Sequence, residues 1–285
     1  MFRLLLLIVA LWPQEPQQPL PDRDSFLSEF RKTLKRDETL LSRYTYTQSE
    51  TETSLDSKGK PKKTEVNVYQ VTHGREEWQT YRRRISKNGV PVPEKDLEKQ
   101  DREERERVQK ELRKRQNQSE EKRLKAKAKE DREEEEVTDE VFAMYDVQMI
   151  RREEIGGHST ILMTFKTKPN YKPKTSDGKI LQHIAGRVWV TEDDHQLAKI
   201  EAEIIDPISI GAGLFAKLNK GSTLTFERRK INDEIWLPVR ADVTVNGRLL
   251  LLKGLNMRQV TEFSDHKKFN VDTILSFGDV IKKPQ

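Results

Sequence analysis

Short stretches in which apolar and polar residues alternate, each closed by turn-forming residues, constrain the fold of this 285-residue chain more than any other feature. Tyr44 and Tyr46 open a Thr-rich run to Leu55, Asp56-Ser57-Lys58-Gly59 turns, and Val66, Val68 and Val71 return. His73-Gly74 and Asn88-Gly89 bracket Trp78, Tyr81 and Ile85. A second series starts at Tyr145, Val147 and Met149 and returns through Ile161, Met163 and Phe165. It continues through Val188-Trp189-Val190, Ala198 to Ile204, Leu224 and Phe226, and then Val239 to Val245 with Asn246-Gly247 as its turn. Leu249–Leu252 and Met257–Phe263 end it. About ten strands joined by short turns read as an antiparallel meander with one apolar face. A twisted sheet of that size curls, and its concave apolar side needs a cover.

Two segments offer that cover. Asp22 and Asp24 cap a helix whose Phe26, Leu27, Phe30 and Leu34 form one stripe, with Leu41 a further candidate. Ile208-Ser209-Ile210-Gly211-Ala212-Gly213-Leu214-Phe215-Ala216-Lys217-Leu218 is apolar and interrupted by glycine, so it bends more readily than a regular helix. The same residues also suit an ordinary buried connection.

Between the two strand series lies a different kind of sequence. Residues 94–136 carry 16 Asp/Glu and 15 Lys/Arg, a net charge of −1 within a chain of net +5. Acid-before-base pairs at i, i+4, such as Asp101/Arg105 and Glu111/Arg115, favour helix. Leu97, Val108, Leu112 and Leu124 are too few for a coiled-coil seam, and Gln116-Asn117-Gln118-Ser119 is a natural break. The run reads as one rod or a helical hairpin that is solvated or docks a partner. Its acids cancel its bases, which argues against a nucleic-acid arm.

At the N-terminus, Arg3 precedes the apolar run Leu4–Trp12, and a Pro/Gln stretch from Pro13 to Pro21 follows. That order matches a secretory signal and linker over 1–21, with cleavage or retention as an anchor left open; nine apolar residues are too few to span a bilayer. The expected division is therefore 1–21, a first sheet portion at 22–93, a charged helical insertion at 94–136, and a second sheet portion at 137–285.

Reactive chemistry is sparse. The chain has no cysteine. His73, His158, His183, His195 and His266 are isolated in sequence, and Asp193-Asp194-His195 reads as a hairpin tip rather than a metal site. Gly211-Ala212-Gly213 lacks the setting of a phosphate loop, and Glu201 and Glu203 share one strand face that points to water. No catalytic group, metal or cofactor is expected, and the chain reads as a non-enzyme.

Gly186-Arg187-Val188-Trp189-Val190, Lys199-Ile200-Glu201-Ala202-Glu203 and Glu234-Ile235-Trp236-Leu237-Pro238 resemble motifs of the LolA/LolB lipoprotein-carrier superfamily. The nearest likeness is to its exported outer-membrane lipoprotein-sorting-like members. Thr191 stands where that group has Asp, and Phe263–Phe269 resembles its closing aromatic motif with His266 replacing one aromatic. The resemblance implies an α+β fold: a strongly curved antiparallel sheet forming an incomplete β-barrel, a helical lid and a cavity for acyl chains. The charged run is not part of that pattern.

The resulting expectation is a periplasmic carrier of a lipid or lipidated protein, compatible with peripheral membrane contact and without nucleic-acid binding. Phe26, Leu27, Phe30, Leu34, Trp189, Ile210, Leu214, Phe215, Leu218 and Trp236 are the expected ligand-contacting residues. The alternative is an envelope interaction or stress-sensing module that uses residues 94–136 to hold a protein partner.

Overall fold

A computed structural model describes residues 18–34, 42–74, 76–210, 216–249 and 253–268. Thirteen strands form one antiparallel sheet: β1 (Tyr44–Leu55), β2 (Pro61–Thr72), β3 (Tyr81–Lys87), β4 (Val90–Pro91), β5 (Tyr145–Ile155), β6 (His158–Thr167), β7 (Ile184–Thr191), β8 (Leu197–Ile204), β9 (Ile208–Ile210), β10 (Ala216–Leu218), β11 (Thr223–Ile231), β12 (Ile235–Leu249) and β13 (Lys253–Lys268). The order across the sheet is β4-β3-β2-β1-β13-β12-β11-β8-β7-β6-β5, with β10 pairing β12 and β9 pairing β10. β4 and β5, consecutive in sequence, lie at opposite edges, and the described strands do not close into a barrel.

The turn chemistry places most of these boundaries. Asp56 accepts from the backbone N–H groups of Lys58 and Lys60, both at 2.8 Å. Asn88-Gly89 and Asn232-Asp233 adopt the paired positive φ values (50° and 77°, 52° and 56°) that match the twist of a hairpin. Asn246-Gly247 does not turn, because β12 runs through it to Leu249. Gly247 serves close approach instead: a Cβ there would sit 2.3 Å from the Lys217 carbonyl oxygen of β10.

Helix α1 (Arg23–Thr33) is capped by Asp22, which accepts from Ser25 N at 2.9 Å. Leu41 lies outside the described residues, as do the signal reading over 1–17 and Gly211–Phe215. The charged run forms two helices, α2 (Glu94–Gln116) and α3 (Glu120–Met144), with Ser119 capping the second. α3 continues eight residues past Glu136, the end of the charged run, because Val141 and Met144 join the core. A short helix α4 (Ser176–Leu181), capped by Thr175, was not legible in the sequence.

α2 guards an edge. The Gln100 side-chain amide accepts from Arg84 N at 3.0 Å and donates to Arg84 O at 3.2 Å, extending the β3 ladder by one imitation strand residue. Beside it, buried Asp101 accepts from Arg83 Nε and Nη2 (2.9 and 3.0 Å) and from the Tyr81 hydroxyl (2.7 Å). An uncovered strand edge is a template for pairing with other chains, and this arrangement blocks it.

The main core lies beneath α1. Phe26, Met144, Tyr145, Ile161, Met163, Phe165, Val188 and Val190 are buried together, with Leu27, Phe30, Val141 and Ile200 among those packed on them. A smaller cluster joins Tyr44, Ile235 and Leu237.

Candidate functional site

In an antiparallel ladder, directly opposed residues share a face, so the register follows the face beneath α1 across the whole sheet. One row runs Met149, Met163, Val188, Ile200, Phe226, Ala241, Thr261, Glu50, Asn67, Lys87. The next runs Val147, Phe165, Gly186, Ala202, Leu224, Val243, Gln259, Glu52, Glu65. Val245, Met257, Ser54 and Lys63 follow on the same face.

This face has three zones. Over β5–β8 it is apolar and filled by the core. Over β11 and β12 it stays apolar, yet Leu224 is 37% exposed and Phe226, Ala241, Val243 and Val245 are only half-buried, as is Met257 next to them on β13. None of these six side chains belongs to the cluster beneath α1. From β13 to β3 these rows turn polar and then charged, while farther along the same face Tyr46 and Val71 are buried. Over β1–β3 Arg82 pairs with Glu50 at 2.5 Å and stacks over Tyr69, Lys63 pairs with Glu65, and the half-buried Asn67 has a side-chain oxygen without a hydrogen-bond partner among the described residues.

The residues expected to contact ligand are dispersed. Phe26, Leu27 and Phe30 fill the core, so the expected space beneath α1 is taken by the protein's own side chains. Leu34, 44% exposed, leaves the stripe and borders an acidic cleft of about 430 Å³ with Glu130, Glu133, Glu134 and Asp177. A second cleft, of about 570 Å³, between α2 and the β3–β4 turn is lined largely by polar side chains, among them Arg84, Lys87, Lys99 and Glu103. The ends of the Ile208–Leu218 segment are strands of the sheet, β9 and β10, paired Ile208↔Leu218 and Ile210↔Ala216. Leu218 is half-buried there; Leu214 and Phe215 lie outside the described residues.

Both tryptophans are fastened by their indole N–H. Trp189 alternates with Val188 and Val190 and so occupies the opposite face from α1. There it is buried between Arg187 and Lys199, whose charges lie 5.5 and 5.0 Å from its ring, and it donates to Glu153 at 2.6 Å. That bond holds the Glu153 carboxyl below its ordinary pKa. It is a cation–π stack on the outer face and not a cavity wall. Trp236 stacks on His158 (5.0 Å) and donates to Asp194 at 3.0 Å. Burial alone would raise the Asp194 pKa, but hydrogen bonds from Thr191, Lys230 and Trp236 outweigh it and hold the value at about 2.

These contacts also account for Asp193-Asp194-His195. Asp194 is consumed by its three donors, Asp193 faces His158, and the His195 ring packs on Phe26 at 4.8 Å. Among the described residues no three His, Cys, Asp or Glu side chains converge as metal ligands. His73 and His266, far apart in sequence, both lie against the Tyr46 ring, at 5.4 and 5.5 Å.

No family model matches the chain, and no curated protein matches it. Among solved structures it is similar to a LolA superfamily protein from Nitrosomonas europaea (11% identity, TM-score 0.30, covering 88% of this chain and 96% of that one). It is also similar to a putative outer membrane lipoprotein-sorting protein domain from Vibrio parahaemolyticus (13%, 0.30, 89% and 95%). A DUF1329 family protein from Desulfovibrio piger gives 13%, 0.31, 89% and 97%. The first two carry the superfamily and domain names that the strand motifs resemble. No helix among the described residues is long and apolar enough to cross a membrane.

Proposed function

We propose that this chain is a non-enzymatic periplasmic binding or carrier protein for an amphiphile, a lipid or the acyl chain of a lipidated protein. The observation that carries the reading is the middle zone of the sheet face, where Leu224, Phe226, Val243, Val245 and Met257 extend the apolar rows beyond the core and stay partly exposed. An acyl chain laid there leaves water with about 0.8 kcal/mol per buried CH₂. The polar end of the same molecule meets Gln259, Glu50, Arg82 and Asn67 on the next strands. Affinity then comes from area and orientation, and no bond needs to be made or broken.

Leu218 belongs to this proposal as further apolar surface, since β10 pairs with β12 and sets it opposite Gly247 on the face of Val243 and Val245. Purification from a native envelope, lipid extraction and mass spectrometry test it. The expected result is a co-purifying acyl lipid, lost at least tenfold in Leu224→Glu, because a charge on the apolar zone must be buried by the bound chain. Absence of any retained or competing acyl ligand in the parent protein overturns the reading.

A further inference from the structure

The net charge of −1 over residues 94–136 conceals a segregation along the two helices. Residues 110–129, around the α2–α3 break, hold nine Lys/Arg against Glu111, Glu120 and Glu121, a net +6. Residues 94–109 carry −2 and residues 130–136 carry −5. At 1.5 Å per residue the break at Ser119 lies about 16 Å from Glu130, beyond the roughly 8–10 Å screening length of physiological salt. The elbow therefore presents its own positive field.

Its residues are available. The α3 residues from Glu120 to Glu136 are all exposed. Lys110, Arg113, Lys122 and Arg123 have no ion-pair partner among the described residues. Lys125, Lys127 and Lys129 make only exposed i,i+4 pairs, which contribute little. Leu112 and Leu124 flank the break and are 41% and 62% exposed. Arg115 pins the elbow to the β2–β3 connection, pairing with Glu76 and stacking 4.6 Å over the half-buried Trp78.

We infer that this elbow docks on an anionic phospholipid surface. Lysine supplies six of the nine cations, suiting a diffuse charged plane more than bidentate recognition. The two leucines and Trp78 suit the interfacial layer, where apolar side chains beside lysines enter the headgroup boundary. A long polyanion lying along the helices would run onto the acidic stretches on either side, whereas a membrane met by the elbow touches the basic block alone. The inference is independent of the proposed ligand.

The test uses the full chain with vesicles of phosphatidylcholine alone or with phosphatidylglycerol at about 2:1. Residues 4–12 are apolar enough to bind either vesicle, so the phosphatidylglycerol-dependent increment is the quantity read. It is expected to reach at least tenfold and to collapse at about 0.5 M salt. It should fall to about twofold or less in the joint variant K110Q/R113Q/K122Q/R123Q, whose circular dichroism stays that of the parent. Because the chain has no cysteine, an environment-sensitive dye on Leu124→Cys reports insertion directly. It should shift to the blue with the anionic vesicles, while the same dye on Lys58→Cys, at the opposite end of β2, stays silent. A quadruple variant that keeps the increment, a silent dye at position 124, or displacement of the vesicles by an equal charge concentration of duplex oligonucleotide would each overturn the inference.

Discussion

The β5–β8 wing and the β11–β13 to β3 wing of this sheet are continuous in hydrogen bonding and opposite in strategy. In the first, α1, the end of α3 and Tyr171 press on one face, and Ile161, Met163 and Val190 are fully buried. In the second, the equivalent face keeps a partly exposed apolar strip and then becomes charged, and its helix α2 engages the β3 edge through Gln100 and Asp101 and the β2–β3 connection through Arg115. One wing carries stability. The other offers surface. A single ladder can serve both because register fixes which residues share a face and leaves their polarity to each strand.

The largest expected effect divides the wings outright. Met163→Ala should cost about 2–5 kcal/mol in urea denaturation, since a filled interior cannot collapse fully around the gap. Val243→Ala, on the same face two strands beyond β8, should cost less than about 1 kcal/mol because water already reaches it. Equal costs would erase the distinction between the wings.

Breaking α2 from its edge comes next. Arg83→Ala strands the buried Asp101 carboxylate without its guanidinium, an expected loss of about 3 kcal/mol. Native-state hydrogen exchange at Arg84 should accelerate with it, because the Gln100 contact is released. Unchanged exchange there would mean α2 is held elsewhere.

The smallest effects separate the wings by pH. Burial lowers the pKa of His73 and His266 from 6.5, and both lie in the open wing. Their neutral forms are favoured by folding, so that stability is complete above about pH 6.5 and declines as pH falls below it. In the filled wing, burial raises Tyr145 to about 12 from 10.0. Its contribution is complete below pH 10 and disappears between pH 10 and 12. Residue-resolved exchange should show acid loosening near Tyr46 and alkaline loosening near Leu181, whose carbonyl accepts from the Tyr145 hydroxyl at 2.7 Å.

Much of this architecture was legible in local pattern. Alternation gave the strands, Asn88-Gly89 and Asp56 the turns, and Asp22 the start of α1, because each depends on residues within a few positions. What stayed illegible depended on distant partners. Val188-Trp189-Val190 alternates cleanly, but only the pairing with β6 and β8 shows that the valines, not the tryptophan, face α1. Asn246-Gly247 has the composition of a turn, yet its glycine answers the approach of Lys217 from another strand. The apolar strip of β11 and β12 was visible as alternating residues; that it lies past the reach of the cover was not. The segregated charges of α2 and α3 were present all along, hidden by a sum close to zero.

The separation of β4 and β5 to opposite borders has a mechanical consequence. A closed barrel can widen only by rupturing ladder bonds, whereas here the chain passes from one border to the other through α2 and α3. Because no ladder joins the two borders among the described strands, the spacing between them can change while every interstrand bond stays intact.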